Sequence, residues 1–224
     1  MVCAQDSEGN QSVNMSDLSS EEQTLVTYEK IAKEWDAGFT NRDFSAPYYS
    51  TFRKLLPVGR ILDAGCGTGY QTPFFLQAGY EYIGVDVSEQ MLSIARARNP
   101  TARFEKMNLY SLAFPNNHFD GFWACAVLQH LPKKQVGQAL QELSRVTKPG
   151  GICFIAVTEG VGERMERGRL GADDNRFFAN YQEQEIQELL EKSGFRVLES
   201  ACRRPKNIPS GFSPAWLNVF AQKK

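Results

Sequence analysis

The chain of 224 residues reads as an α/β protein in which a central sheet carries helices on both faces. Three observations predict this. Short apolar runs, among them Ile61-Leu62, Tyr82-Ile83-Gly84-Val85 and Ile152 to Val157, alternate with stretches whose apolar residues recur at helical spacing. The first run leads directly into a glycine-dense turn, Gly65-Cys66-Gly67-Thr68-Gly69. The last two strand-like runs, Phe195 to Ala201 and Trp216 to Ala221, are joined through Pro205, Pro209 and Pro214 as a hairpin-like pair.

Residues 1–19 are rich in Ser, Asn, Gln and acids, a composition that predicts disorder. They lack the apolar stretch of a secretory signal and the arginines of a transit peptide. Asn10-Gln11-Ser12 and Asn14-Met15-Ser16 match the glycosylation triplet, a pattern common by chance. A single domain then spans 20–224, its first part, to about residue 56, helical. From Ser20, Leu25, Tyr28, Ile31, Ala32 and Trp35 form one apolar stripe. Phe39 to Tyr49 mixes aromatics with Asn41, Arg42 and Asp43, which suits either a pocket wall or a loop packed on that helix.

The glycine turn should lead into a helix over Tyr70 to Gln77, with Pro73 in its first turn and Gly79 ending it. Tyr82 to Asp86 is the second strand. Ser88 is the predicted N-cap of a helix from Glu89 to Arg98 that buries Met91, Leu92 and Ala95. Ala102 to Met107 is the third strand, ending at Asn108, and Phe119 to Ala124 the fourth. Val136, Ala139, Leu140, Leu143 and Val146 line one face of a helix stopped by Pro149-Gly150-Gly151. After the fifth strand, Glu159 to Asn180 reads as a long loop whose charges between Glu163 and Asp174 are solvated. Asn180 and Glu183 fit a capping box for a last helix with Ile186, Leu189 and Leu190 inside, ending at Gly194.

A net charge of −1 gives no electrostatic footprint for nucleic acid or an anionic membrane. The five cysteines are odd in number and show no Cys-x-x-Cys spacing, which argues against a metal site or disulfide framework and fits a reducing cytoplasm.

The chemistry concentrates at the glycine turn. Missing Cβ atoms let a ligand lie against the backbone, but the third glycine comes one residue earlier than in a dinucleotide fingerprint, and Asp63 precedes the first. A carboxylate there repels pyrophosphate and attracts an ammonium or sulfonium, both of which S-adenosyl-L-methionine carries. Asp86, at the end of the second strand, is placed to accept hydrogen bonds from both ribose hydroxyls.

With these residues in view, the chain resembles the class I S-adenosylmethionine-dependent methyltransferases. The resemblance rests on Leu62 to Gly69, Gly84-Val85-Asp86-Val87-Ser88, Phe119 to Ala124 and Val146 to Gly151, in the family's order. It implies a Rossmann-like three-layer sandwich with a seven-stranded, mostly parallel sheet in order 3-2-1-4-5-7-6, the last strand antiparallel. It implies that the N-terminal helix is a lid whose Tyr28 reaches the methionine end of the cofactor. It also implies cofactor contacts from Asp63, Gly65, Cys66, Gly67, Gly69, Asp86, Val87, Ser88, Met91, Asn108, Leu109, Ala124 and Cys125. Asn108 departs from the acid that family members commonly carry there.

For catalysis, His130, Glu159 and Tyr181 are the candidate bases. Arg42 and Arg176 are the candidate acceptor-binding residues, Arg176 by pairing with a carboxylate or phosphate. The expected activity is in-line methyl transfer to an O or N atom of a small molecule, without a metal, by a monomer or homodimer. An RNA or protein methyltransferase and a non-catalytic cofactor-binding partner are the alternatives.

Overall fold

The protein is described by a computed structural model covering residues 14–39, 45–167, 174–204 and 215–224. Four parallel strands form the heart of the sheet: β1 (Arg60–Ala64), β2 (Glu81–Asp86), β3 (Arg103–Lys106) and β4 (Phe119–Cys125). β5 (Thr147–Thr158) joins β4 in parallel, Phe122 opposite Cys153 and Trp123 opposite Phe154. A separate two-stranded hairpin follows, β6 (Glu163–Arg167) and β7 (Asn175–Ala179). The chain then returns to the large sheet as β8 (Phe195–Arg203) and β9 (Trp216–Lys223). The seven-stranded order is β3-β2-β1-β4-β5-β9-β8, with β9 antiparallel to both neighbours. Numbered without the hairpin, this is the expected 3-2-1-4-5-7-6.

Side-chain alternation along the central strands divides the core into two layers, because successive residues point to opposite faces. Phe122, Cys153 and Ile155 pack with Val136, Leu140 and Leu143 of α5 (Lys133–Val146) and with Ile186 and Leu190 of α6 (Glu183–Lys192). On the other face Trp123, Phe154 and Phe220 meet Tyr48, Tyr49 and Phe52 of α2 (Ala46–Leu55). Phe75 of α3 (Thr72–Gln77) and Leu92 and Ala95 of α4 (Glu89–Arg98) complete this layer. The second layer is strongly aromatic: Trp123 stacks on Phe154 at 4.0 Å and Tyr49 on Phe74 at 3.8 Å between ring centroids. Tyr48 and Tyr49 therefore belong to the core and not to a pocket.

The first helix, α1 (Ser20–Phe39), lies outside these layers, against α4 on one side and β7 on the other. Ser19 caps it: its N–H and hydroxyl donate to Glu22 Oε2 at 2.8 and 2.7 Å. Residues 14–19, expected to be disordered, hold a short 3₁₀ turn over Met15–Asp17 that Asn14 caps. The preceding residues lie outside those described.

The region after β5 differs most from expectation. The charged stretch expected as a loop forms the β6–β7 hairpin, with Glu166 opposite Arg176 and Arg164 opposite Phe178. The capping box at Asn180 does not form. Asn180 Oδ1 accepts instead from Arg164 at 2.6 Å, and Gln182 takes the N-cap position of α6. Among the described residues no helix is long and apolar enough to cross a membrane.

Candidate functional site

The parallel register of β1 with β2 and β4 brings the C-terminal ends of the three strands together, where open α/β sheets present their chemistry. Gly65 N–H and Cys66 N–H both donate to Val85 O, at 2.8 and 3.0 Å, which fastens the glycine turn to the end of β2. The three glycines have different tasks. A Cβ on Gly65 would fall 2.3 Å from Val127, and one on Gly69 would meet Asn99 at 2.8 Å and Ala95 at 3.0 Å. Gly67, at φ +53, faces open space, where the nearest atom to an added Cβ is Trp35 Cη2 at 4.0 Å. Gly67 is thus the point where backbone is laid bare to a ligand.

A cavity of about 290 Å³ opens over it. Gly65, Cys66 and Gly67 form its floor and Asp86, Val87, Ser88 and Met91 one wall. Met107, Asn108 and Leu109 form a second wall, Cys125, Ala126 and Val127 a third, and Leu25, Tyr28 and Trp35 of α1 the roof. Asp86 is held in a set orientation. Its Oδ2 accepts from Gly67 N–H and its Oδ1 from Ser88 N–H, both at 2.9 Å. Each oxygen keeps a second lone pair for a ligand hydroxyl. Burial pushes the Asp86 pKa up, opposed by these N–H donors. Ser88 Oγ accepts from Met91 N–H at 3.2 Å, the predicted N-cap, and Val87 stands 38% exposed at the lip. Ala126 takes φ +62 at the end of β4, a left-handed conformation that costs a non-glycine residue about 1–2 kcal/mol. Asn108 Oδ1 accepts from Tyr110 N–H at 2.9 Å, so the amide is anchored locally.

Three expected cofactor contacts stand away from the cavity. Asp63 is 1% exposed and accepts from the Tyr82 hydroxyl at 2.7 Å. Burial raises its pKa to about 7, against the opposing effect of the Tyr82 hydrogen bond. It lies beneath the floor and does not line the cavity. Gly69 is small because α4 packs on it. Ala124 is buried in the layer beneath α5.

The candidate bases fare differently from one another. His130 lines the cavity with Tyr28. His130 Nδ1 lies 2.8 Å from Phe177 O, which can only accept, so Nδ1 carries the proton and Nε2 accepts from the Tyr28 hydroxyl at 3.0 Å. Burial lowers the imidazole pKa to about 4. His130 therefore holds Tyr28 in place and, with Nε2 engaged, is a weak base. Tyr181 is wholly buried in the core, with Lys133 Nζ 5.0 Å from its ring centroid. Glu159 bridges to Tyr181 through the backbone and is not in the cavity wall. Arg176 is committed elsewhere: Nη2 donates to Asp174 Oδ2 at 3.0 Å, Nε to Asp174 Oδ1 at 2.5 Å and Nη1 to the Tyr28 hydroxyl at 3.4 Å. It braces the roof and has no free face for an acceptor anion. Arg42 lies outside the described residues.

The sequence reading passed over Thr24 and Gln71, which also line the cavity. Gln71 Oε1 accepts from Trp123 Nε1 at 2.9 Å, tying the aromatic core to the site. Neither has a sequence signal apart from its nearness to the lid stripe and the glycine turn. Among the described residues no group of His, Cys, Asp or Glu is placed to hold a metal.

Comparison with known proteins agrees with this geometry. Residues 62–155 match the family described as "Methyltransferase domain". Malonyl-(acyl-carrier protein) O-methyltransferase of Erwinia pyrifoliae is 37% identical over 102 residues, covering 45% of this chain and 38% of the relative. Demethylmenaquinone methyltransferase of Renibacterium salmoninarum is 30% identical over 144 residues, 60% of this chain and 58% of the relative. The chain thus spans less than two thirds of either relative's length. In fold it is similar to the 1,6-didemethyltoxoflavin-N1-methyltransferase of Burkholderia thailandensis, solved with 1,6-didemethyltoxoflavin and S-adenosylhomocysteine. The TM-score is 0.72 at 23% identity, over 92% of this chain and 91% of that one. The strand order is that of a Rossmann-like fold, and the glycine turn joined to Asp86 lies within the matched domain, so the chain is similar to the class I S-adenosylmethionine-dependent methyltransferases over residues 62–155.

Proposed function

We propose that the protein transfers a methyl group from S-adenosyl-L-methionine to an oxygen or nitrogen atom of a small-molecule acceptor. The observation that carries this reading is the joint between Asp86 and Gly67: a carboxylate fixed by two backbone N–H groups beside bare backbone, in the wall of a roofed cavity. When bound, the cofactor supplies a methyl group already activated by its sulfonium, so alignment is the main task left to the protein.

Asp86 would take the ribose hydroxyls, Val87, Met91 and Asn108 the adenine, and Gly65 to Gly67 the methionine end, where a backbone without Cβ permits close approach. Tyr28, held by His130 and Arg176, closes the far side and excludes water. His130 acts here as the residue that orients Tyr28. With its pKa near 4 it cannot accept much of a proton at neutral pH. An acceptor with an available lone pair suits such a site best.

Two points support a small acceptor. The walls are predominantly apolar, and the names of the relatives specify an O-methyltransferase and a demethylmenaquinone methyltransferase. The reading places the protein in a reducing cytoplasm, as a monomer or homodimer, with Cys66 and Cys125 kept as thiols. The test is incubation with methyl-tritiated cofactor and a panel of phenols, quinols, amines and acyl thioesters. Label in an organic-extractable product supports the proposal. Label confined to added tRNA or protein would replace it with a macromolecular acceptor.

A further inference from the structure

The roof of the cavity is tied to its floor by one side chain that the reading above does not use. Arg98, at the end of α4, reaches in two directions. Its Nη1 donates to Thr68 O at 3.0 Å and to Thr68 Oγ1 at 3.1 Å, inside the glycine turn. Its Nη2 donates to Asp36 Oδ2 at 2.6 Å, on the lid helix α1. Thr68 is 1% exposed, and the Asp36 and Arg98 side chains are 17% and 25% exposed, so the pair is shielded from most solvent screening. Asp36 Oδ1 is buried without a hydrogen-bond partner among the described residues, which leaves Arg98 as the donor that compensates this carboxylate. The neighbouring residue of the lid, Trp35, is the side chain that covers Gly67. Farther along α1, Glu29 accepts from Glu89 N–H and Gln90 N–H at 2.7 and 3.2 Å, so the same face of the lid is fastened to both ends of α4.

We infer that Arg98 is a positioning residue that couples closure of the α1 lid to the shape of the glycine turn, so that the turn holds its cofactor-binding form only while Asp36 and Trp35 are seated. A planar guanidinium can serve Thr68 and Asp36 at once because its donors diverge in one plane. Lysine presents a single ammonium on a flexible stem and cannot span both. The inference rests on the proposed cofactor site, but the lid can be read without cofactor.

The test is hydrogen–deuterium exchange of α1 in the ligand-free protein, with S-adenosylhomocysteine calorimetry alongside, for Arg98→Ala, Arg98→Lys, Asp36→Ala and the double variant Asp36→Ala/Arg98→Ala. Each alanine variant is expected to speed exchange in the C-terminal half of α1 about tenfold, the scale of one charge-assisted hydrogen bond. The double variant should be no faster than either single one, and β1 and β4 should keep wild-type protection. Affinity for S-adenosylhomocysteine should fall about tenfold in both alanine variants, and Arg98→Lys should recover lid protection more than affinity. Wild-type exchange in Arg98→Ala, or additive effects of the two alanine substitutions, would overturn the coupling. A looser lid with unchanged affinity would overturn the link to the turn. Should Arg98→Ala not fold, Asp36→Ala reads the same pair. Absence of binding in the wild type counts against the cofactor site itself, and lid exchange still decides whether Asp36 and Arg98 act together.

Discussion

Asp63 shows how far one residue type can be read and where reading stops. The acid before the glycine turn is legible as a feature of the site, but its direction is not. It depends on Tyr82, nineteen positions on, whose hydroxyl rises from the parallel partner strand to meet it. The consequence is a pH dependence of folding. Between the ordinary value near 3.8 and about 7, the folded chain keeps a proton on Asp63 that the unfolded chain releases, so stability falls as pH rises through that window. Asp63→Asn keeps an acceptor for Tyr82 without the charge. Relative to wild type it should gain on the order of 2–4 kcal/mol between pH 4 and 8, measured by urea unfolding. Parallel pH profiles for the two proteins would show that Asp63 is not desolvated. Arg176 teaches the same lesson: its guanidinium, on the segment after the fifth strand, reads as a partner for an acceptor carboxylate or phosphate, but Asp174, two residues away and 1% exposed, already fills its fork.

At the scale of elements, the strands and helices of the sheet were legible because each carries its own period and punctuation, such as Ser88 capping α4. The β6–β7 hairpin was not. Glu163-Arg164-Met165-Glu166-Arg167 has a single apolar residue, and its strand character comes from pairing with Asn175–Ala179. That strand in turn is fixed by the lid. Phe177 N–H donates to Thr24 Oγ1 at 2.8 Å, and Thr27 Oγ1 donates to Asn175 O at 2.9 Å. Contacts 148 or more positions apart leave no local trace. Thr24→Val preserves shape but strands the Phe177 N–H in a buried seam, a loss of about 1–3 kcal/mol. Amide exchange in β7 should accelerate by one to two orders of magnitude while β4 and β5 stay protected. Unchanged exchange in β7 would mean that lid and hairpin are held together by other contacts.

Across the whole molecule, function follows from topology. Parallel strands β1, β2 and β4 end at one edge of the sheet, so Gly67 and Asp86 meet without being neighbours in the chain. The first turn and the second acid could therefore be joined on paper. The roof could not: Trp35 over Gly67 and Tyr28 on His130 require α1 to fold back across the sheet edge. The most direct test of the account is calorimetric titration of S-adenosylhomocysteine into the wild type and Asp86→Ala. Binding to the wild type with a loss of about tenfold to a hundredfold in the variant, the scale of hydrogen bonds to a charged group, is the predicted result. Equal affinity in the two proteins, or no binding to either, would contradict it.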